Sequence, residues 1–206
     1  NGPGGGPAGL CLRHLSIVVC APGGFALTTP ADILDFWFAE IPPAQWWKKS
    51  DDFDRLIAAR FGAVLQAAAQ CELHAWRATP AGRLAEVIVL DQFSRNIHRG
   101  DAQAFASDAL ALGLAQEAVA AGADRLLAPA ERAFLYMPYM HSESAAIHAL
   151  AVALFSQPGL EGNLDFELRH KAIIDRFGRY PHRNAVLGRA STAEEAAFLQ
   201  TPGSSF

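Results

Sequence analysis

The chain has 206 residues, of which 51% are hydrophobic and 18% charged, with a formal net charge of -4. That is enough apolar material for a sizeable core and excludes general disorder. No run approaches the roughly 20 apolar residues that span a bilayer, and the acidic balance offers no basic face to phosphates, so neither a membrane nor nucleic acid is expected as a partner.

Asn1 to Gly9 are mostly glycine and proline, followed by Arg13 and the short apolar run Leu15 to Ala21. Residues 1–27 read as a disordered N-terminal extension, with a weak signal-peptide pattern as the alternative. Residues 28–206 read as a single helical domain. Cys11, Cys20 and Cys71 form no C-x-x-C pair, so neither a disulfide framework nor a structural zinc site is expected, and the expected location is a reducing cytoplasm. The sequence gives no cofactor, no metal-ligand set and no oligomeric state.

From Thr28 the punctuation is that of consecutive helices. Thr29-Pro30-Ala31-Asp32 supplies an N-cap, a proline at the first helical position and an acid near the positive end of the dipole; the helix carries Ile33, Leu34 and Phe36 to Phe38 and stops at Pro42-Pro43. A second helix starts near Asp51, with Phe53, Ile57, Phe61, Val64, Leu65 and Ala68 at helical spacing. Thr79-Pro80 opens a third through Leu84, Ile88 and Leu90. Asp101 is expected to cap a fourth that ends at Gly122. A fifth starts at Pro129 and is expected to break or kink at Pro138. A sixth covers Ser144 to Phe155; a seventh opens at Asn163 and Asp165 and ends at Gly178. Thr192-Ala193-Glu194-Glu195 is a capping box for a short last helix. Seven or eight helices with short connections imply an all-α fold of stacked antiparallel hairpins.

Three polar motifs concentrate the chemistry. In Leu90-Asp91-Gln92-Phe93-Ser94-Arg95-Asn96-Ile97-His98-Arg99, a persisting helix puts Asp91 and Arg95 four apart on one face, and one more turn adds Arg99. The structural alternative is an ion-pair ladder to a neighbouring helix. In Tyr136 to Glu143, His141 and Glu143 form a candidate acid/base pair, or two metal ligands, presented beyond Pro138. In Arg176-Phe177-Gly178-Arg179-Tyr180-Pro181-His182-Arg183-Asn184, a glycine ends the helix and a proline stiffens a loop whose arginines suit an anion, with His182 as a proton-transfer candidate. The alternative there is arginines that cap helices and pair with Asp91 or Glu143. Trp46-Trp47 reads as a core anchor.

At these motifs, with Phe36-Trp37-Phe38, Leu187-Gly188-Arg189, Ser191-Thr192 and Glu194-Glu195, the chain resembles a bacterial family known as domain of unknown function 924, over about Ala31 to Leu199. The resemblance implies a tetratricopeptide-repeat-like helical fold and no established activity. It supports the positions of Asp91, Arg95, Asn96, His141, Glu143, His182, Arg183 and Asn184 and assigns none of them a task. Ser94 stands where the family often has proline. Lys171-Ala172 stands where members commonly carry Arg-Asp, which removes an acid beside His170.

The expectation is that the three motifs converge on one cleft. Asp91, Arg95, Asn96, Arg99, Arg179, Arg183 and Asn184 are its candidate binding residues, for an anionic small molecule or a peptide carboxylate. In an enzyme, His141, Glu143 and His182 would supply acid/base chemistry with arginines stabilising developing charge. In a scaffold, the same network would only fix helix register.

Overall fold

The computed structural model describes residues 28–205. The expectations for residues 1–27, Cys11 and Cys20 included, lie outside that range. Among the described residues the fold is all-α, with no strand. Helix α1 (Pro30–Asp35) runs on into a π-helical turn, Phe36–Glu40; α2 spans Asp51–Ala69. Helix α3 (Pro80–Ile88) continues through a second π turn, Val89–Phe93, into α4 (Ser94–Ile97). Then come α5 (Asp108–Ala120), α6 (Pro129–Met140), α7 (Ala145–Phe155), α8 (Glu161–Phe177) and α9 (Ala193–Phe198).

The caps fall where side-chain chemistry puts them. The hydroxyls of Thr29, Ser50, Thr79 and Thr192 accept from the backbone N–H groups of Asp32, Phe53, Gly82 and Glu195, satisfying donors that a helix start leaves open. Gly178 ends α8 at φ 68°, a left-handed conformation that costs glycine nothing.

Two boundaries differ from the sequence reading. Asp101 caps a short 3-10 turn, Ala102–Phe105, and α5 opens only at Asp108. Pro138 lies inside α6, which runs on to Met140. Proline there forfeits one late N–H bond, while every side chain from Ala133 to Met140 is buried. Tertiary burial outweighs the local defect.

The α3–α4 rod is the axis of the molecule. Every residue from Leu84 to Ser94 is buried, and α3 packs against α1, α5 and α6. An aromatic cluster closes one end: the Phe36 ring lies 4.9 Å from Phe61 and 6.0 Å from Phe93, and Trp37 lies 5.5 Å from Phe134. Of the tryptophan pair, Trp46 donates Nε1–H to the Trp37 carbonyl at 2.8 Å, whereas Trp47 is 62% exposed. The core-anchor role belongs to Trp46 alone. Beyond α6, α7 packs on α6 and α8 on α7, which leaves the α8–α9 end to a small second cluster of Ile173, Ile174 and Tyr180.

Gly82 is required by close approach. A Cβ there would sit 1.9 Å from the Trp76 carbonyl oxygen, whereas a Cβ at Gly62 in α2 meets nothing within 4 Å. Gly82→Ala should therefore cost about 2–4 kcal/mol by backbone displacement. Gly62→Ala should gain about 0.5–1 kcal/mol through the unfolded state and helix propensity. Urea unfolding followed by far-UV circular dichroism checks both signs.

Candidate functional site

The π turn Val89–Phe93 delivers a carboxylate into the interior. Such a turn holds an extra residue, which rotates the register of the residues after it by about 100°. Asp91 lies within it and is 1% exposed. Its Oδ1 takes Arg95 Nη1 at 3.0 Å, one turn on, and faces His141 Nδ1 at 2.8 Å, while Oδ2 accepts from Gln92 Nε2 at 2.6 Å. Burial alone would raise the Asp91 pKa; the Arg95 charge, helped by His141 and by the Gln92 amide, reverses that and holds the carboxyl far below its usual range. Asp91 is ionised.

His141 ends α6 as its C-terminal cap. Burial and the neighbouring Arg95 charge push its pKa below the ordinary 6.5 in spite of Asp91. At neutral pH the ring is neutral with its proton on Nδ1, donated to Asp91, and Nε2 keeps its lone pair.

A second carboxylate extends the network. Asp108 is the first residue of α5, and its Oδ2 accepts from Arg95 Nη2 at 2.9 Å and from Arg183 Nη1 at 3.3 Å. Arg183 is pinned on every side. Its guanidinium packs on the rings of Phe105 and Tyr180, each centroid 4.6 Å from Cζ, and Nη2 donates to the His141 carbonyl at 3.0 Å. Burial and Arg95 push its pKa down, yet a guanidinium stays charged. Two buried atoms at this junction have no hydrogen-bond partner: Arg183 Nε and Asp108 Oδ1.

The turn that carries His141 is held by its carbonyls. The Tyr180 hydroxyl donates to Met140 O at 2.6 Å, Arg183 to His141 O, and His148 Nε2–H to Ser142 O at 2.9 Å. His148 Nδ1 lies 2.7 Å from Glu167 Oε1, and both side chains are fully buried. Burial raises the Glu167 pKa in spite of the His148 contact. Three side-chain donors therefore fix three successive peptide groups.

His141, Ser142, Glu143, Asp108 and Arg183 line a cleft of about 420 Å³ whose other walls are apolar, chiefly Phe105, Leu112, Pro138 and Leu187. That is a small-molecule volume.

The sequence candidates divide. Asp91, Arg95, His141, Glu143 and Arg183 come together from all three motifs. Asn96 and Arg99 do not: Asn96 Nδ2 reaches Asp54 Oδ1 at 2.8 Å, and Arg99 Nε and Nη2 reach the same carboxylate at 2.5 and 2.9 Å. The π turn and the end of α4 at Ile97 put both on the face toward α2. Arg179 is bound by Glu195 at 2.6 and 2.8 Å, and Asn184 bridges Ser191 and Arg189. Glu143 serves Arg189, at 2.6 and 3.0 Å, and the Tyr180 N–H at 2.8 Å. The acid beside His141 is Asp91, which is 50 residues distant in sequence. His182 does not line the cleft; its ring lies 5.5 Å from Tyr180, and burial with the Arg183 charge pushes its pKa down to about 4. Asp108, Phe105, His148 and Glu167 carry no sequence signal: isolated residues in unremarkable helices and turns, they matter only through their packing partners. Among the described residues, no three His, Cys, Asp or Glu side chains gather as metal ligands, and no helix is long and apolar enough to cross a membrane.

Residues 33–203 match the model of a family of bacterial proteins of unknown function, DUF924. The chain belongs to that family. A solved structure of a protein of unknown function from Agrobacterium tumefaciens is similar, with a TM-score of 0.76 and 37% identity over 83% of this chain and 96% of its own. No curated protein matches the chain significantly.

The geometry sets two outcomes. Asp91→Ala leaves Arg95 with Asp108 as its one carboxylate and unpairs the His141 ring in the interior, and should cost about 3–5 kcal/mol in urea unfolding. The pH dependence is set by depressed histidines: His182 falls to about 4 and His170, desolvated on α8, to about 3. A lowered histidine pKa contributes stability above the unfolded value, which is lost as pH falls. Tm should therefore drop from pH 6.5 toward pH 4, with His182→Gln removing on the order of 2–3 kcal/mol of that slope. Glu167, whose pKa is raised, works in the opposite direction above pH 4.5.

Proposed function

We propose that the cleft between α5, the end of α6 and the Pro181–Arg183 turn binds a small molecule through a carboxylate, with Arg183 as its anchor. The observation that carries this reading is Arg183 itself: a guanidinium 7% exposed, packed on two rings, lining an open cleft and keeping Nε without a partner. A buried donor left unmade is costly, and a planar guanidinium edge suits a carboxylate. Arg95, Arg179 and Arg189 are saturated by acids, which supports a scaffolding role for them. In this reading residues 28–206 form one cytoplasmic domain, and the consecutive packing of α5 to α8 is compatible with stacked hairpins of tetratricopeptide type.

A second reading is favoured by the Asp91–His141 contact. Asp91 orients the ring and leaves Nε2 as a proton acceptor at the cleft, the geometry of a general base. Ligand binding that survives His141→Gln while turnover of that ligand does not would mark an enzyme.

The test of the first reading is thermal shift against small carboxylates, amino acids included, and short peptides, with phosphates as the comparison. A true ligand at a hundredfold excess over its Kd should raise Tm by roughly 5–10 °C, and Arg183→Met should abolish the shift. If no carboxylate moves the wild-type Tm, or if the shift persists in Arg183→Met, the reading fails.

A further inference from the structure

The charges of the site restrict what kind of carboxylate fits. Arg95, Arg183 and Arg189 are matched by Asp91, Asp108 and Glu143, each arginine touching at least one of them. The network has no surplus positive charge. The cleft wall itself holds two carboxylates, Asp108 and Glu143, against the single guanidinium of Arg183. A ligand that is only an anion meets Arg183 with an acid on either side, and like charges in a partly desolvated cleft repel strongly. A ligand with two negative charges fares worse.

The unmade hydrogen bonds come as a complementary pair. Arg183 Nε is a donor without an acceptor, and Asp108 Oδ1 is an acceptor without a donor. The two residues touch, Nη1 to Oδ2 at 3.3 Å. Both atoms are covered as the cleft stands, so a ligand that answers them must shift part of the wall and present an acceptor and a donor close together. Close by, His141 keeps the Nε2 lone pair as a further acceptor. Apart from Ser142, the remaining walls, chiefly Phe105, Leu112, Pro138 and Leu187, carry apolar side chains.

We infer that the cleft takes a free α-amino acid with an apolar side chain, its carboxylate on Arg183, its ammonium toward Asp108 and Glu143, and its side chain against Leu112 and Leu187. This rests on the reading that Arg183 meets a carboxylate and adds the ammonium and the apolar chain. A zwitterion enters a charge-balanced site without changing its total charge, so it requires no proton. A plain carboxylate adds one negative charge, and the group able to answer it is His141, by taking up a proton on Nε2.

Isothermal titration of the full chain at pH 7.5, in buffers of different ionisation enthalpy, separates the terms with four probes. L-leucine carries all three features; isocaproate lacks the ammonium, isoamylamine lacks the carboxylate, and glycine lacks the side chain. Leucine should bind at least about tenfold tighter than isocaproate and isoamylamine. It should exceed glycine by about fourfold per buried methylene. Leucine should bind with no net proton uptake, and isocaproate with uptake approaching one proton. Asp108→Asn should erase the preference of leucine over isocaproate. Because that variant also loosens Arg95 and Arg183, Leu187→Trp serves as a second, which should weaken leucine at least about tenfold while circular dichroism stays native.

Isocaproate binding as tightly as leucine overturns the amino-acid inference and leaves the carboxylate reading standing. Isoamylamine binding as tightly as leucine overturns both. No binding of any of the four probes overturns the inference, and the wider carboxylate panel then decides the earlier reading separately.

Discussion

A carboxylate 1% exposed in the centre of a helical protein is the condition that the rest of this molecule meets. Moving an ionised acid out of water costs several kcal/mol even after relaxation, and the attraction of a partner offsets that only with close geometry and filled hydrogen bonds. Asp91 has both, in Arg95, His141 and Gln92. Those partners then impose conditions of their own. Arg95 keeps a second guanidinium nitrogen that Asp91 does not reach, and Asp108 answers it from the start of α5. Asp108 in turn receives Arg183 from a loop 75 residues away. One buried charge thus dictates how α3, α5, α6 and the loop after α8 come together.

The same logic explains why His141 is held by its backbone as well as its ring. A ring hydrogen bond fixes a tautomer and a direction but leaves the turn free to slide. Tyr180, Arg183 and His148 remove that freedom by binding Met140 O, His141 O and Ser142 O. Arg183 belongs to both sets, as it grips the turn through Nη2 and Asp108 through Nη1. Further out, Glu143, Arg189, Asn184, Glu195 and Arg179 form a chain in which each donor of the series finds an acceptor. In the inner junction, beside the cleft, Arg183 Nε and Asp108 Oδ1 stay unfilled.

Most of the helices are legible in the sequence because their signals are local. Thr29, Thr79 and Thr192 before Pro, Gly or acidic residues, and Gly178 after a charged last turn, act within four residues of chain. The departures have one origin in common: positions where tertiary burial overrides a local rule. Pro138 stays in a helix because its neighbours are all interior. Arg99 leaves the Asp91 face because a π turn and an early helix end, neither written in residue spacing, rotate it to Asp54. Of the site, the three motifs and their convergence on His141, Asp91 and Arg183 are readable from polar density at helix ends. Asp108 is not, since an acid at the start of an alanine-rich helix reads as ordinary dipole compensation. Yet it is the residue that joins Arg95 to Arg183.

What the arrangement does chemically turns on His141 being neutral between an anion and two cations. Burial depresses its basicity first and the Arg95 charge adds to that against Asp91, so any charge entering the cleft changes it further. A carboxylate seated on Arg183 weakens the field that disfavours imidazolium and raises the ring's pKa; an ammonium beside Asp108 strengthens that field and lowers it. A ligand bearing both leaves the ring where it was. The protonation of His141 therefore tracks the sign of the charge in the cleft, and a cleft that keeps its histidine neutral when occupied keeps a proton acceptor beside its ligand. Charge balance among the arginines and acids thus keeps the ring neutral for the same reason that it keeps the interior stable.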